Sequence, residues 1–440
     1  MKTHFCIAAL AISTFTATGF AAIQRQVESA KFPNPAGKYD ATQCVAKLAE
    51  GVAKEISVSA PDNKNSFYAV KLNLPEFVRG VAINCDKNWP SLTNRALPWT
   101  FSAGFKGLET PRGAVLLVLE LPDGKTMVLL PITTPKQFAY FDIQGKTCFL
   151  ASATFGTEKA TGVSCLAACD NDPYRALSLV FEKAFTLPVF AGRFQARRTK
   201  VYPEMFNHLG WCSWEQYRLN ITSNSLVKAA KEIKASGLPV RFFLVDDGHQ
   251  VNRKKNRKLA SFDPDPKTFP KGWGPLLDER DPKTLKWMGL WHAFHGNWEG
   301  LDLKNDFSPE VKQALSTFGT EKTKEKEKAK GKGKEKKKGK GKKKELGKTL
   351  LPGETDAASA TFYNAFLGAV EKQGFDFVKI DVQTVTIGLY AGSKNPVASS
   401  IRNQKSLNAA CVTNGLALLN CMSSGPQNTF YTGSSAVSRC

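Results

Sequence analysis

Two rhythms of apolar and polar residues divide this chain. Up to about residue 200 the apolar residues come in short runs, such as Ala114–Leu121, Met127–Leu130 and Phe138–Ile143, several of them β-branched or aromatic. Turn residues separate the runs, Pro122-Asp-Gly-Lys in one place and Gln144-Gly-Lys in another. Short strands at such regular spacing predict an all-β sandwich. Past residue 200 the rhythm becomes strand, then helix. Apolar strands are predicted at Leu209–Trp214, Arg241–Asp247, Lys286–His292, Phe375–Asp381 and Leu416–Cys421, and Ala436–Cys440 begins a sixth. Helical spacing is predicted between them over 223–236, 357–372 and 404–413, the first carrying Leu226, Ala230 and Ile233 on one face and stopped by Gly237 and Pro239.

Strands that alternate with helices imply a parallel sheet, and continuously apolar strands imply that both faces are covered. Polar residues fall at the strand ends: Trp214, Asp246, Asp247, His292, Asp381 and Cys421. In a barrel of parallel strands all of these open onto the C-terminal face, where sites form. A doubly wound open sheet normally announces itself by a Gly-rich phosphate turn after its first strand, and Leu209-Gly-Trp-Cys-Ser-Trp is not one. The expected fold is therefore an N-terminal all-β sandwich over 22–200, followed over 201–440 by an α/β (β/α)₈ TIM barrel that breaks off at about its sixth strand.

Composition modifies this picture at three places. Lys2 and His4 precede an apolar run from Phe5, and Gly19-Phe-Ala21 offers the small residues a signal peptidase reads, so residues 1–21 are expected to be a signal peptide and the protein secreted or periplasmic. The net charge of +22 is concentrated: residues 321–350 hold 15 Lys and 5 Glu, a surplus of +10. That run lacks aromatic side chains and nearly all apolar ones, so it cannot offset the entropy of ordering, and 319–349 is expected to be a disordered insertion. Without interleaved aromatics it does not read as a nucleic-acid platform; acidic glycans or surfaces suit its charge equally well. Ten cysteines in a chain of 440 residues form no dense framework, and Cys6 departs with the signal. Cys165 and Cys169 are spaced to pair or to stay buried as thiols. No run approaches the roughly 20 apolar residues of a membrane span.

Candidate chemistry gathers at the strand ends. Asp381 follows Lys379 on one strand face, a carboxylate that can attack an anomeric carbon beside an ammonium that favours its ionised form; an Asp that caps the following helix has the same local sequence. Asp246 and Asp247 share a direction only where the strand ends, which Gly248 allows. Paired carboxylates accept from sugar hydroxyls, although capping and surface ion pairing use the same residues. Trp211, Trp214, Trp273, Trp287, Trp291 and Trp298 lie in this half, several beside strand ends, where an indole face suits a pyranose; Trp287 reads as core. His292-x-x-His295 lacks a third ligand at zinc spacing, so no metal and no cofactor is expected.

Together these segments resemble glycoside hydrolase family 36, in its raffinose synthase and seed imbibition protein branch. The matching text is Leu209-Gly-Trp-Cys-Ser-Trp-Glu, Phe243-Leu-Val-Asp-Asp-Gly-His-Gln, Gly289-Leu-Trp-His-Ala-Phe-His-Gly-Asn-Trp, Val378-Lys-Ile-Asp-Val-Gln, Asn420-Cys-Met-Ser and Ala436-Val-Ser-Arg. The resemblance implies an enzyme that cleaves terminal α-galactosides, such as raffinose-type oligosaccharides, by a retaining double displacement. Asp381 would be the nucleophile, and Asp246, Asp247, Trp291, Lys379, Cys421 and Arg439 would line the galactose subsite. Such an enzyme needs a second carboxylic acid about 5 Å from the nucleophile. The family places it after an Arg that Arg439 matches, so it is expected just beyond Cys440, and this chain is expected to be a fragment inactive by itself. Galactosyl transfer of the raffinose-synthase type and non-catalytic carbohydrate binding are the alternatives.

Overall fold

The computed structural model describes residues 50–57, 67–72, 74–84, 114–144, 147–154, 163–190, 196–251, 257–318, 349–383, 386–390, 393–423, 425–433, 435 and 437–439. The expected signal peptide and all but the last residue of the expected Lys-rich insertion lie outside them. That last residue, Thr349, begins a strand.

The first half is antiparallel. Strands β1 (Ala53–Ser57), β2 (Phe67–Leu72), β3 (Arg79–Asn84), β4 (Ala114–Glu120), β5 (Thr126–Pro131), β6 (Gln137–Gln144), β7 (Thr147–Thr154) and β8 (Val163–Asp170) form one connected sheet in the order β1-β8-β5-β4-β6-β7-β2, with β3 also on β4. The sandwich expectation called for two facing sheets. Both faces of this one are apolar, as the period of two requires: Met127, Leu129, Cys165 and Ala167 join one buried cluster, while Val128, Leu130, Leu166 and Ala168 join the other. Cys165 and Cys169 are free thiols on the same strand.

An element that the strand pattern hides covers the second face. Helix α1 (Pro173–Thr186) starts from the Asp172 side chain, which accepts from the Tyr174 amide, with Pro173 at its first turn. Ala176, Leu179, Val180 and Ala184 form its buried stripe. The same core takes in Ile387, Val397, Ile401, Phe430 and Tyr431 from the far end of the chain. Phe190 stacks on Phe430 with ring centroids 4.6 Å apart, and the Asn395 side-chain amide donates to the Pro135 carbonyl at 2.8 Å. The antiparallel sheet thus packs directly against the second half.

That half is built on six parallel strands: β9 (Leu209–Cys212), β10 (Val240–Val245), β11 (Trp287–Ala293), then, after an antiparallel hairpin of β12 (Leu315–Phe318) and β13 (Thr349–Pro352), β14 (Phe377–Asp381), β15 (Ala417–Cys421) and β16 (Val437–Arg439). Their order is β16-β15-β14-β11-β10-β9. Each strand therefore lies beside its predecessor with no reversal, as in a barrel wall, whereas a doubly wound sheet turns back at a switch point. A closed barrel goes beyond these six strands. The hairpin brings the two ends of the Lys-rich run together, with Phe318 opposite Thr349.

Three long helices cover one face of this sheet. They are α2 (Ser223–Ala235), α3 (Asp356–Lys372) and α4 (Pro396–Thr413), and each starts from a side-chain cap, Thr222, Thr355 and Asn395 respectively. Helix α4 begins eight residues before the helical spacing becomes legible, because Asn395 and Pro396 set its start. Leu226, Phe366 and Leu407 of these helices meet Phe243, Val245, Met288, Leu290, Val378, Ile380 and Leu418 of the strands. Full burial contributes roughly 1.5–3 kcal/mol for each such large side chain. The opposite face carries Leu244, Trp287 and Phe377, with Phe242 and Leu419 against them. Here Gly289 is required by space, since a Cβ on it would lie 2.1 Å from the Phe377 ring.

Candidate functional site

Register fixes which side chains share this second face. Trp291 pairs with Lys379, Ala293 with Asp381, and Cys421 with Arg439. Alternation then puts Trp291 and Ala293, Lys379 and Asp381, Leu419 and Cys421, and the backbone position of Arg439 in one band toward the C-terminal ends. The side chain of Arg439 and all of Cys440 lie outside the described residues. Asp246 and Asp247 follow directly on β10, and Gly248 turns the chain with φ of +130°.

Asp246 is held from four directions. Lys379 Nζ donates to its Oδ2 at 2.6 Å, and Cys212 Sγ donates to the same oxygen at 3.3 Å. Its Oδ1 accepts the Asp247 amide at 2.9 Å, and its own amide donates to Ser213 Oγ at 2.8 Å. Both side chains of the Lys379–Asp246 pair are only 4% exposed. Burial works against a charge on Lys379, yet the neighbouring acidic groups, led by Asp246, hold its pKa above the usual lysine value. Burial first, then the Asp246 charge, pushes the Cys212 thiol up to about 11, so it remains a neutral donor. The sequence reading set Lys379 against Asp381; in the fold its ion pair is with Asp246, 133 positions away.

Asp381 is oriented by different groups. Trp291 Nε1 donates to its Oδ2 at 3.1 Å, and the Val382 amide donates to its Oδ1 at 2.7 Å. Trp291 is 1% exposed, so its indole pins a carboxylate and shows little open ring face. Val382 has φ of +64°, a conformation costly for a β-branched residue, and Met422 occupies the equivalent position after β15 with φ of +46°. Such strain is held in place only by its surroundings, and it concentrates at functional sites.

Behind Trp291 lies a layer of buried imidazoles. His249 Nε2 contacts the Trp291 carbonyl at 2.9 Å, and Gln250 Nε2 reaches both His292 Nδ1 at 3.0 Å and the Gly296 carbonyl at 2.9 Å. His295 Nδ1 meets the Tyr363 hydroxyl at 3.2 Å, and that hydroxyl donates to the Phe294 carbonyl at 2.8 Å. His292 and His295 therefore belong to core packing. Among the described residues no group of three or more His, Cys, Asp or Glu is placed to hold a metal ion, and no helix is long and apolar enough to cross a membrane.

The fold thus brings together Asp246, Asp247, Trp291, Lys379, Asp381 and Cys421, the last buried at the end of β15. It separates Trp287, which packs between Lys286 and Arg241 and stacks on His208, and Trp214, which lies under Arg218 in a short helix, Ser213–Tyr217. Sequence reasoning passed over Cys212 and Ser213 as supports of Asp246, although both lie in a motif it singled out.

Comparison with known proteins bears on this arrangement. Residues 151–265 match the family model described as raffinose synthase or seed imbibition protein Sip1. The chain is 25% identical over 278 residues to probable galactinol–sucrose galactosyltransferase 1 of Arabidopsis thaliana, across 56% of this chain and 35% of that protein. It is 25% identical over 254 residues to the galactinol–sucrose galactosyltransferase of Pisum sativum, across 49% of this chain and 31% of that one. The chain thus matches about a third of the length of these relatives. Among solved structures it is similar to TtGalA, an α-galactosidase from Thermus thermophilus in complex with stachyose, with 14% identity over 88% of this chain and 75% of that chain and a TM-score of 0.49. It is also similar to a variant of the GH36 α-galactosidase AgaA from Geobacillus stearothermophilus in complex with 1-deoxygalactonojirimycin, with 10% identity, coverage of 84% and 51%, and a TM-score of 0.47. In its motifs, in the family model and in these curated relatives alike, the chain is related to the raffinose synthases and seed imbibition proteins.

Proposed function

We propose that this chain carries the nucleophile of a galactosyl-processing site, in which Asp381 attacks the anomeric carbon of a terminal α-galactoside and forms a β-galactosyl ester. One observation carries the reading: a carboxylate oriented by Trp291 and the Val382 amide lies on the strand beside Trp291, with the buried Lys379–Asp246 pair in the same band. Two fixed donors restrict the rotation of Asp381, the preorganisation that a covalent nucleophile needs. Asp246 and Asp247 offer acceptors, and Lys379 offers donors, for galactose hydroxyls. Cys421, and Arg439 by its register with it, extend that subsite.

A retaining mechanism also uses a second carboxylic acid, which protonates the leaving oxygen. Closure of the six strands into a barrel and export through residues 1–21 belong to the same proposal. Hydrolysis is the preferred outcome, since an exported enzyme meets water and oligosaccharide but no cytosolic donor. Curated relatives named as galactosyltransferases favour transfer as the second reading.

α-Galactosyl fluoride tests the proposal, because fluoride departs without a protonated leaving oxygen. Incubation with this substrate in water, and again with sucrose, should release fluoride. Free galactose would mark hydrolysis, and a galactosyl-sucrose product would mark transfer. No fluoride release above that of an Asp381→Asn variant would refute the nucleophile assignment.

A further inference from the structure

A chain of buried side-chain amides runs beneath the end of β14. Gln383 Nε2 donates to the Ile380 carbonyl at 2.9 Å and to Asn420 Oδ1 at 3.0 Å. Asn420 Nδ2 donates in turn to the Val437 carbonyl at 3.1 Å and to Ser435 Oγ at 2.6 Å. Gln383 is fully buried and Asn420 nearly so. Asn420 alternates with Leu419 and Cys421 along β15 and is the register partner of Ile380, so its side chain leaves the strand on the face that the helices cover. The Ile380 and Val437 carbonyls can only accept, which fixes the direction of both amides. Beyond them, Asn428 Nδ2 lies 3.5 Å from Gln383 Oε1 and donates to Gln404 Oε1 of α4 at 3.1 Å. The amides thus join the C-terminal ends of β14, β15 and β16 to the helix layer.

Gln383 stands two residues after Asp381, and its side chain reaches back to the carbonyl one residue before it. That bond closes a ring around the backbone torsions of Asp381 and Val382. On its far side, Thr386 Oγ1 donates to the Gln383 carbonyl at 2.8 Å. Within the ring lie the left-handed Val382 and the peptide whose N–H donates to Asp381 Oδ1. A β-branched residue keeps such a conformation only where its surroundings over-determine it. We infer that Gln383 is a positioning residue for the nucleophile: anchored on the Ile380 carbonyl and Asn420, it locks the turn after β14 in the geometry that keeps the Val382 amide on Asp381. The inference rests on the reading of Asp381 given above, and it gives a role to the last residue of Val378-Lys-Ile-Asp-Val-Gln.

The test is first-turnover fluoride release from α-galactosyl fluoride by the full chain, resolved into a maximal rate and a half-saturating concentration. Gln383→Met keeps the side-chain length and removes both donors. It should lower the maximal rate roughly 10- to 100-fold, as expected when a reacting group is displaced by about 1 Å. The half-saturating concentration should stay within about twofold, because the groups that hold the sugar are untouched. Gln383→Glu keeps the shape but turns an acceptor toward the Ile380 carbonyl, so it should be slow at neutral pH. Its rate relative to wild type should rise as the pH falls, since a protonated carboxyl regains one donor. A role in stability alone would not move that ratio, which also provides the readout if the Met variant does not fold. An unchanged maximal rate in Gln383→Met, a loss confined to half-saturation, or a Gln383→Glu ratio that is flat with pH overturns the inference while the reading of Asp381 stands. A wild-type chain that releases fluoride no faster than Asp381→Asn overturns both.

Discussion

Lowering the pH from 7 to 5 should cost this fold about 2 kcal/mol through His295, with His292 adding a loss of the same sign. His292 and His295 are each 1% exposed, and burial holds both imidazoles neutral, His295 down to about 3 and His292 well below the ordinary 6.5, with His249 adding to the effect at His292. In the unfolded chain each takes up a proton near 6.5, whereas the folded chain refuses it, so the unfolded state binds more protons throughout that interval. The stability these groups contribute is complete above about pH 6.5 and is lost progressively as the pH falls toward the folded values. Integrating one such group from pH 7 to pH 5 gives about 2 kcal/mol, and the slope approaches about 1.4 kcal/mol per pH unit below pH 6. His292 acts in the same direction, and the His295 loss alone is a sizeable share of the roughly 5–15 kcal/mol by which a domain is stable. Urea unfolding followed by tryptophan fluorescence at pH 7, 6 and 5 measures it. A His295→Phe variant keeps the ring volume and should reduce the loss by about 2 kcal/mol. A stability that stays flat between pH 7 and 5, or a His295→Phe variant with an undiminished slope, would refute the burial argument.

Two further outcomes follow from the site and its support. Lys379→Met leaves Asp246 buried without its cation and should destabilise by about 3–5 kcal/mol; adding Asp246→Leu should recover most of that stability without restoring sugar binding, as chemical denaturation and calorimetry would report. Gly289→Ala drives a methyl group into the Phe377 ring and should cost about 1–3 kcal/mol in thermal or urea unfolding, and a Phe377→Leu partner should relieve part of it.

Much of the scaffold was legible because its signals are local. The parallel strands are apolar runs bounded by Gly, Pro and Asp, and helices α2 and α3 announce themselves by caps and a 3.6-residue stripe. The fold agrees with those spans to within a few residues. Helix α1 was passed over because Pro173–Thr186 follows a long β text, although the Asp172 cap, Pro173 and the stripe of Ala176, Leu179, Val180 and Ala184 are local signals of the same kind. The site divides the same way. Which residues stand at strand ends can be read from hydropathy, but the partner of each depends on inter-strand register. Lys379 and Asp381 are neighbours in sequence, yet the ion pair crosses two strand junctions to Asp246. The left-handed turns at Val382 and Met422 have no sequence signal, since neither residue type favours that conformation; only the packed surroundings impose it. Trp298 was visible as an aromatic near the site, and only the fold reveals the carboxylate that it holds.

The assignment of Asp381 as nucleophile is tested most directly by trapping. The full chain would be incubated with 2,4-dinitrophenyl 2-deoxy-2-fluoro-α-galactoside, whose leaving group departs without acid assistance and whose fluorine slows breakdown of the ester. Peptide mass spectrometry should find one fluorogalactosyl group on the peptide carrying Asp381 and none in Asp381→Asn. A label on Asp246, Asp247 or any other carboxylate, or an unlabelled chain that still consumes the reagent faster than the Asp381→Asn variant, would contradict the account.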